Sequence, residues 1–382
     1  MKPALVMWAI YLFLIPFYVF KSGLPQPGDI FLVLLVPVAL RGWDGRLFRR
    51  GLVAAKPLIW FTSWVCMVDY AWAAILGNFG LFGSDTFVLF PLYYVYNTLL
   101  FLVALVLFQR YGDAFLRLTM NIVYLTIFLL VGSSLLSVGS MRGSLFFNNP
   151  NQLGYYVLLV ACLIVMVHWR LRLRLLTSSI ALTCCGYLAA VSASRAAMAG
   201  IAILFALLVF SSPRVILAIS ALAMAFMFVG GPITSVVDSS QERVRNRRSN
   251  VGFFAERGYD RIWEHKQYLV FGAGEGGLTR FSTTMQMEIH SSIGTVIFSY
   301  GLVGTALFLI FMWRLVRGAP LRFAAVLIPP MAYTVAHQGL RFTMLWVLLA
   351  IFVALKPAAA ATKVPRLVKP LAPPRVRPLG AA

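Results

Sequence analysis

Apolar runs long enough to cross a bilayer recur from Ala4 to Leu355, separated by short polar turns and by one long polar stretch. A hydrocarbon core of about 30 Å takes about 20 apolar residues per helix. On that measure the pattern predicts twelve transmembrane helices, at about 4–20, 26–40, 57–76, 86–109, 116–137, 151–168, 175–191, 196–210, 214–231, 291–313, 321–337 and 342–355. The second and the last three are short or carry Pro. The first run follows Lys2 but is not followed by a small-residue cleavage site, and Lys21-Ser22-Gly23-Leu24-Pro25 reads as a helix exit, so it is a permanent span.

The polar stretch, 232–290, lies between the ninth and tenth runs. Residues 232–258 are polar and basic, with Arg243-Val244-Arg245-Asn246-Arg247-Arg248. Residues 259–270 read as one amphipathic helix with Ile262, Trp263, Tyr268 and Leu269 at its apolar positions. The run Gly272-Ala273-Gly274-Glu275-Gly276-Gly277 breaks that helix. It lacks the Lys-Ser/Thr of a phosphate loop and follows no predicted strand, so it reads as a tight turn that lets backbone approach a partner.

Composition agrees with a membrane protein: 60% of the residues are hydrophobic and 12% charged. The net charge of +21 does not imply nucleic acid, because excess Lys and Arg in a polytopic chain mark cytoplasmic loops. With the N-terminus inside, alternating loops gather Lys2, Arg41, Arg46, Arg49, Arg50, Lys56, Arg110, Arg117, Arg170, Arg172, Arg174, Arg214, Arg314, Arg317, Arg322 and the basic residues of the tail on one side. The short loops of the other side hold only Lys21, Arg142, Arg195 and Arg341. Both termini are therefore expected in the cytoplasm and the long loop outside. Residues 1–355 form the membrane domain, and 356–382, rich in Pro, Ala and Arg, form a disordered extension near anionic lipid. Cys66, Cys162, Cys184 and Cys185 lie in apolar runs and read as small buried hydrophobes rather than a disulfide or metal framework.

This topology brings three helix starts to the outer face. The sixth span opens after Phe147-Asn148-Asn149-Pro150-Asn151, the eighth at Ser192-Ala193-Ser194-Arg195, and the tenth at His290-Ser291-Ser292. Pro suits a first turn and Asn or Ser suits a cap. Helix N-termini attract anions, and Arg195 adds a fork suited to phosphate. Arg195 is equally an interfacial residue, and His290 a surface histidine beside a cap. His337, near the outer end of the eleventh span, is placed to line the same region. Asp69, deep in the third span, is a functional carboxylate, the partner of an arginine, or a carboxyl group that stays protonated. The outer loops hold no His, Cys or acidic spacing of a metal site.

Three signatures in order resemble the O-antigen ligase and Wzy polysaccharide-polymerase superfamily. They are Phe147-Asn148-Asn149-Pro150-Asn151-Gln152-Leu153-Gly154, then Ser192-Ala193-Ser194-Arg195, then the long loop. That loop carries Arg261-Ile262-Trp263, Gly272-Ala273-Gly274, and His290 followed by Gly301 and Gly304. The likeness covers 146–304; earlier spans match only in character. It implies a fold of the membrane glycosyltransferase C class, acting without metal or other cofactor in the bacterial inner membrane, with its active site at the periplasmic face. The implied donor is a glycan on a polyprenyl diphosphate. The implied acceptor is another carrier-linked unit in a polymerase of surface or exopolysaccharide, or lipid A-core in a ligase of lipopolysaccharide synthesis. Membrane lipids, a flippase and a chain-length regulator are the implied partners. Carried over by residue, Arg195 and Arg261 bind the diphosphate and His290 serves the acceptor hydroxyl. Asn149, Asn151, Ser194 and Gly274 join them as substrate-binding candidates. The polymerase is the leading reading and the ligase its alternative. A lipid-linked oligosaccharide flippase needs charge deep in the spans, of which there is little here, and a non-catalytic assembly protein leaves Arg195, Arg261 and His290 without a shared role.

Overall fold

The computed structural model describes residues 2–21, 24–41, 45–80, 86–136, 143–209, 257–281 and 288–356, and among these there are helices and connections but no strand. The helices are α1 (Pro3–Leu14), α2 (Pro27–Leu40), α3 (Gly45–Leu76), α4 (Leu89–Tyr111), α5 (Asp113–Leu136), α6 (Pro150–Leu171), α7 (Leu175–Val191) and α8 (Arg195–Val209). After the polar stretch come α9 (Asp260–Glu264), α10 (Ser292–Ser299), α11 (Gly301–Val316), α12 (Leu321–Ala325), α13 (Ile328–Ala336) and α14 (Thr343–Leu355). The expected ninth span, the Arg243–Arg248 run and the tail beyond Lys356 lie outside the described residues.

The chain is a helical membrane protein. By length and composition, Ala55–Leu76 within α3, and α4, α5 and α6, are long and apolar enough to cross a bilayer; the other apolar helices are shorter. Helix α1 stops at Leu14 rather than near residue 20, because Pro16 has no N–H to continue the ladder. The expected tenth span is divided at Tyr300–Gly301, and the eleventh at Val326–Leu327, just ahead of Pro329-Pro330.

Helix α6 is the axis of the bundle. It is apolar all round, every residue from Leu153 to Val167 is buried, and α7, α8 and α14 pack on it. In lipid, helix association rests on close packing rather than on hydrophobic transfer, so small residues fix the register. Gly154 of α6 sits against Ser192 and Ser194, where a Cβ would lie 2.6 Å from that of Ser194. That contact sets the start of α8 beside the start of α6. Gly200 packs on Leu158 and Pro329, while Arg322 donates to the Leu207 carbonyl (3.0 Å), so α12–α13 run antiparallel to α8.

The break between α10 and α11 is filled by the glycine-rich turn. Ala273 and Gly274 donate their N–H groups to the carbonyls of Phe298 (3.0 Å) and Ser299 (2.9 Å) at the end of α10. The first N–H groups of α11, on Leu302 and Val303, donate in turn to Leu269 (2.7 Å) and Val270 (3.4 Å). Groups that a continuous helix would satisfy internally are thus satisfied by exchange with the turn. From α3, Trp64 donates to the Tyr300 carbonyl (2.8 Å) and Trp72 to that of Gly272 (3.1 Å), fastening both sides of the break. Gly272 has φ +100°, and a Cβ there would overlap the Ser299 carbonyl. Gly272→Ala is therefore expected to lower stability by at least the 1–3 kcal/mol typical of such backbone strain, about 1 kcal/mol as a floor. Gly132→Ala, where a Cβ meets nothing within 4 Å, should be neutral or slightly stabilising. Thermal unfolding of the two purified variants makes the comparison, and equal melting temperatures would contradict it.

Helices α4 and α14 both start at one end of the bundle and finish at the other. The far end is basic: Lys2 lies over the Tyr111 ring (5.3 Å), Arg110 donates to the Arg41 carbonyl (3.0 Å), and Lys356 donates to that of Arg314 (3.2 Å). The near end holds the cavity.

Candidate functional site

A cavity of about 540 Å³ opens where α1 ends and α2, α4, α6 and α14 begin. Polar caps stand at two of these starts, Gln26 at α2 and Asn149 at α6, and the bundle directs both to one space. Asn149 is the N-cap of α6, its side chain accepting from the Asn151 N–H (2.7 Å), and Pro150 takes the first helical position. The Asn151 carbonyl accepts from the Tyr333 hydroxyl (2.9 Å). Asn149, Asn151, Gln152 and Tyr155 all line the cavity, so the positive end of α6 faces it.

Around the same space lie Arg257, Glu288 and His290 of the polar stretch and the α13–α14 connection. His290 donates its backbone N–H to the Arg257 carbonyl (3.1 Å). Ser291 caps α10 by accepting from the Gly294 N–H (3.0 Å), and shares a hydrogen bond with the Tyr259 hydroxyl (2.6 Å). The Ser292 hydroxyl accepts from the N–H groups of Gly339 (2.6 Å) and Leu340 (3.1 Å), while its own N–H donates to the His337 carbonyl (3.1 Å). Those bonds clip 337–341 onto the start of α10. His290, His337, Arg257 and Arg341 consequently line one cavity.

Arg341 is the best-supported cation there. Its guanidinium pairs with Glu275 and with Glu288 (2.8 Å) and lies over the Phe90 ring (4.4 Å). Burial alone would lower its pKa, but Glu275 and Glu288 outweigh burial and hold it well above the ordinary arginine value. Glu275 is 5% exposed and accepts from the hydroxyls of Tyr94 (2.6 Å) and Tyr300. Its backbone N–H donates to Asp69 (2.7 Å). Asp69 thus serves as the acceptor that ties the glycine turn to α3.

A smaller side cavity adjoins the main one and shares Glu288, Gln338 and Arg341 with it. Arg261 lines this side cavity, 6% exposed, with its guanidinium over the Phe281 ring (5.9 Å). Burial lowers its pKa, against the opposing charges of Asp260 and Glu264. Gly274 lies there too, but its Cα packs on Asp69, Trp72 and Phe87, which makes it a seat for the turn. Arg280 holds the same turn, donating to the carbonyls of Ala273 (2.6 Å), Gly276 and Gly277 and stacking on Trp72 (4.6 Å) and Phe281 (4.6 Å).

Of the residues singled out in the sequence, His290, Asn149 and Asn151 meet in the main cavity, and Arg261 and Gly274 meet in its annex. Ser194 is buried on Gly154, and Arg195 is exposed at the start of α8, lining neither cavity. The helix expected over 259–270 is instead α9 followed by a 3-10 turn at Lys266–Tyr268, and Trp263 is 70% exposed rather than on a buried face. Arg257, Glu275, Glu288 and Arg341 were not distinguishable in the sequence as one group. The only signal was that Arg341 is among the few basic residues of the short outer loops. Among the described residues no three His, Cys, Asp or Glu side chains group as metal ligands do. No protein-family model matches the chain, and no curated protein sequence matches it.

Proposed function

We propose that this chain is a membrane glycosyltransferase that takes a glycan from a polyprenyl diphosphate carrier at the outer face of a bacterial cytoplasmic membrane, most simply to polymerise repeat units. The observation that carries the reading is the cavity itself, where the capped start of α6 shares one space with His290, Arg257 and Arg341. The basic end opposite the cavity, which holds both Lys2 and Lys356, supports an orientation with both termini cytoplasmic.

In this reading the acceptor hydroxyl attacks the anomeric carbon while the bond from that carbon to the diphosphate oxygen breaks. Its proton passes to the His290 imidazole, acting as general base. The leaving diphosphate keeps the bonding electron pair, and its added charge is met by Arg257, Arg341 and the N–H groups that open α6. Arg261, one layer behind, lines the side cavity that shares Glu288 and Arg341 with the main one. Arg195 is the residue the family resemblance adds to this set.

The test uses the purified chain in liposomes with lipid-linked repeat units as donor, and further repeat units or lipid A-core as acceptor. Glycan lengthening supports a polymerase, and transfer to lipid A-core supports a ligase. Either activity should persist in excess chelator, since among the described residues no group suited to a divalent metal is found. No transfer to either acceptor would overturn the proposal, and a loss in chelator restored by magnesium or manganese would overturn its metal-free form.

A further inference from the structure

The main cavity has two unlike walls. One carries Arg257, His290 and Arg341. The other comes from the end of α1, the start of α2 and the first turns of α4, and presents Tyr11, Tyr18, Asp29, Tyr93, Tyr96 and Asn97 to the same space. Among the described residues of this second wall there is no Lys or Arg.

The wall is built in place. The Gln26 side chain accepts from the N–H groups of Val19 (3.0 Å) and Phe20 (3.1 Å) and donates to the Leu24 carbonyl (2.9 Å), which fixes the turn between α1 and α2. Asp29 accepts from the Gln26 N–H through Oδ2 (2.6 Å), completing a capping box. A carboxylate has about four lone-pair sites, and this cap uses one. Asn97, 1% exposed, donates to the Leu340 carbonyl (3.5 Å), but its Oδ1 has no hydrogen-bond partner among the described residues. The Tyr155 hydroxyl, on α6 and 2% exposed, is in the same position. Buried polar atoms that border a cavity in this way are completed by water or by a ligand.

A diphosphate is poorly served here, because Asp29 repels it and no cation answers it. An uncharged polyol is well served. Phenol rings can lie on the C–H face of a sugar ring while their hydroxyls, Asp29 and Asn97 bond its hydroxyls. A volume near 540 Å³ is of the size that holds a whole small ligand rather than two phosphates alone. We propose that this wall is a sugar subsite, holding the glycan residue joined to the diphosphate while the diphosphate lies toward Arg257 and Arg341. The inference rests on the glycosyl-transfer reading and adds residues from α1, α2 and α4, where no sequence signature lies.

The experiment measures binding to the full chain in lipid nanodiscs. The probes are bare undecaprenyl diphosphate and the same carrier bearing glucose, galactose, N-acetylglucosamine or N-acetylgalactosamine. The expected result is that at least one sugar raises affinity over the bare carrier. Asp29→Asn, which keeps an acceptor for Gln26, and Tyr96→Phe should each reduce that gain, Asp29→Asn by about tenfold. Bare-carrier binding should not weaken in either variant, and melting temperature should stay at the wild-type value in both. If wild type does not bind the bare carrier, the donor reading itself fails. If it binds the carrier but no sugar adds affinity, or the variants keep the gain, or they lose bare-carrier binding equally, the subsite is overturned while the donor reading stands.

Discussion

Arg341→Ala should destabilise the protein by about 3–5 kcal/mol, the usual consequence of removing one member of a buried ion pair. Glu275 is the reason. Its side chain is 2% exposed and its carboxylate is held by Tyr94, Tyr300 and Arg341 beneath the cavity. Without the guanidinium a negative charge stays in a site closed to water, and Glu288 loses its partner as well. Glu275→Gln together with Arg341→Met removes both charges and should recover most of the loss, since a neutral pair of similar volume is often as stable as the ion pair it replaces. Arg341→Lys should fall between, because an ammonium cannot serve two carboxylates with the geometry of a fork. Denaturant or thermal unfolding of the purified variants orders them. A double variant as unstable as Arg341→Ala would show that packing against Phe90, not charge, carries the effect.

His290→Ala should leave the fold intact and lower transfer by about 10²–10⁴, the range for loss of a general base. The bond to the Arg257 carbonyl comes from the His290 backbone N–H, which alanine retains. Donor affinity should change little while turnover falls. Arginine variants divide differently. Arg257→Ala borders the cavity and should weaken donor binding and slow transfer by about 10²–10³, as for loss of one charge-stabilising donor. Arg261→Ala acts from the side cavity, and Arg195→Ala lies outside both. Donor affinity measured beside turnover for the set decides between the assignment implied by the family resemblance and the one drawn from the cavity. A His290→Ala enzyme that transfers at the wild-type rate reduces the residue to a neighbour of the Ser291 cap, and a normal Arg257→Ala with a dead Arg195→Ala returns the diphosphate to α8.

The bounds of α4, α5, α6 and α7 were readable because each is an unbroken apolar run between polar turns. The break at Tyr300–Gly301 was not, since the apolar pattern passes straight through it; the interruption is imposed by a turn from elsewhere in the chain. The same contrast divides the site. Asn149, Asn151 and His290 stand at helix starts, where local cap chemistry marks them. Arg341 and Glu275 are joined across distant parts of the sequence, and neither has a local pattern that names the other. Trp263 misled because an apolar period alone does not say whether protein or the surroundings cover the face. Asp69 was recognisable as a membrane carboxylate, yet the hydrogen bonds it accepts come from the Glu275 backbone N–H and the Tyr300 hydroxyl.

The exchange of backbone bonds between the glycine turn and the ends of α10 and α11 has a mechanical consequence. Peeling 269–274 away would expose helix carbonyls and N–H groups together with their partners, so this part of the loop cannot serve as a hinged flap. Glu275, and through it Arg341, inherits that stiffness. A ligand entering from the cavity mouth therefore meets a positive surface already aimed, and little of its binding energy goes into arranging it.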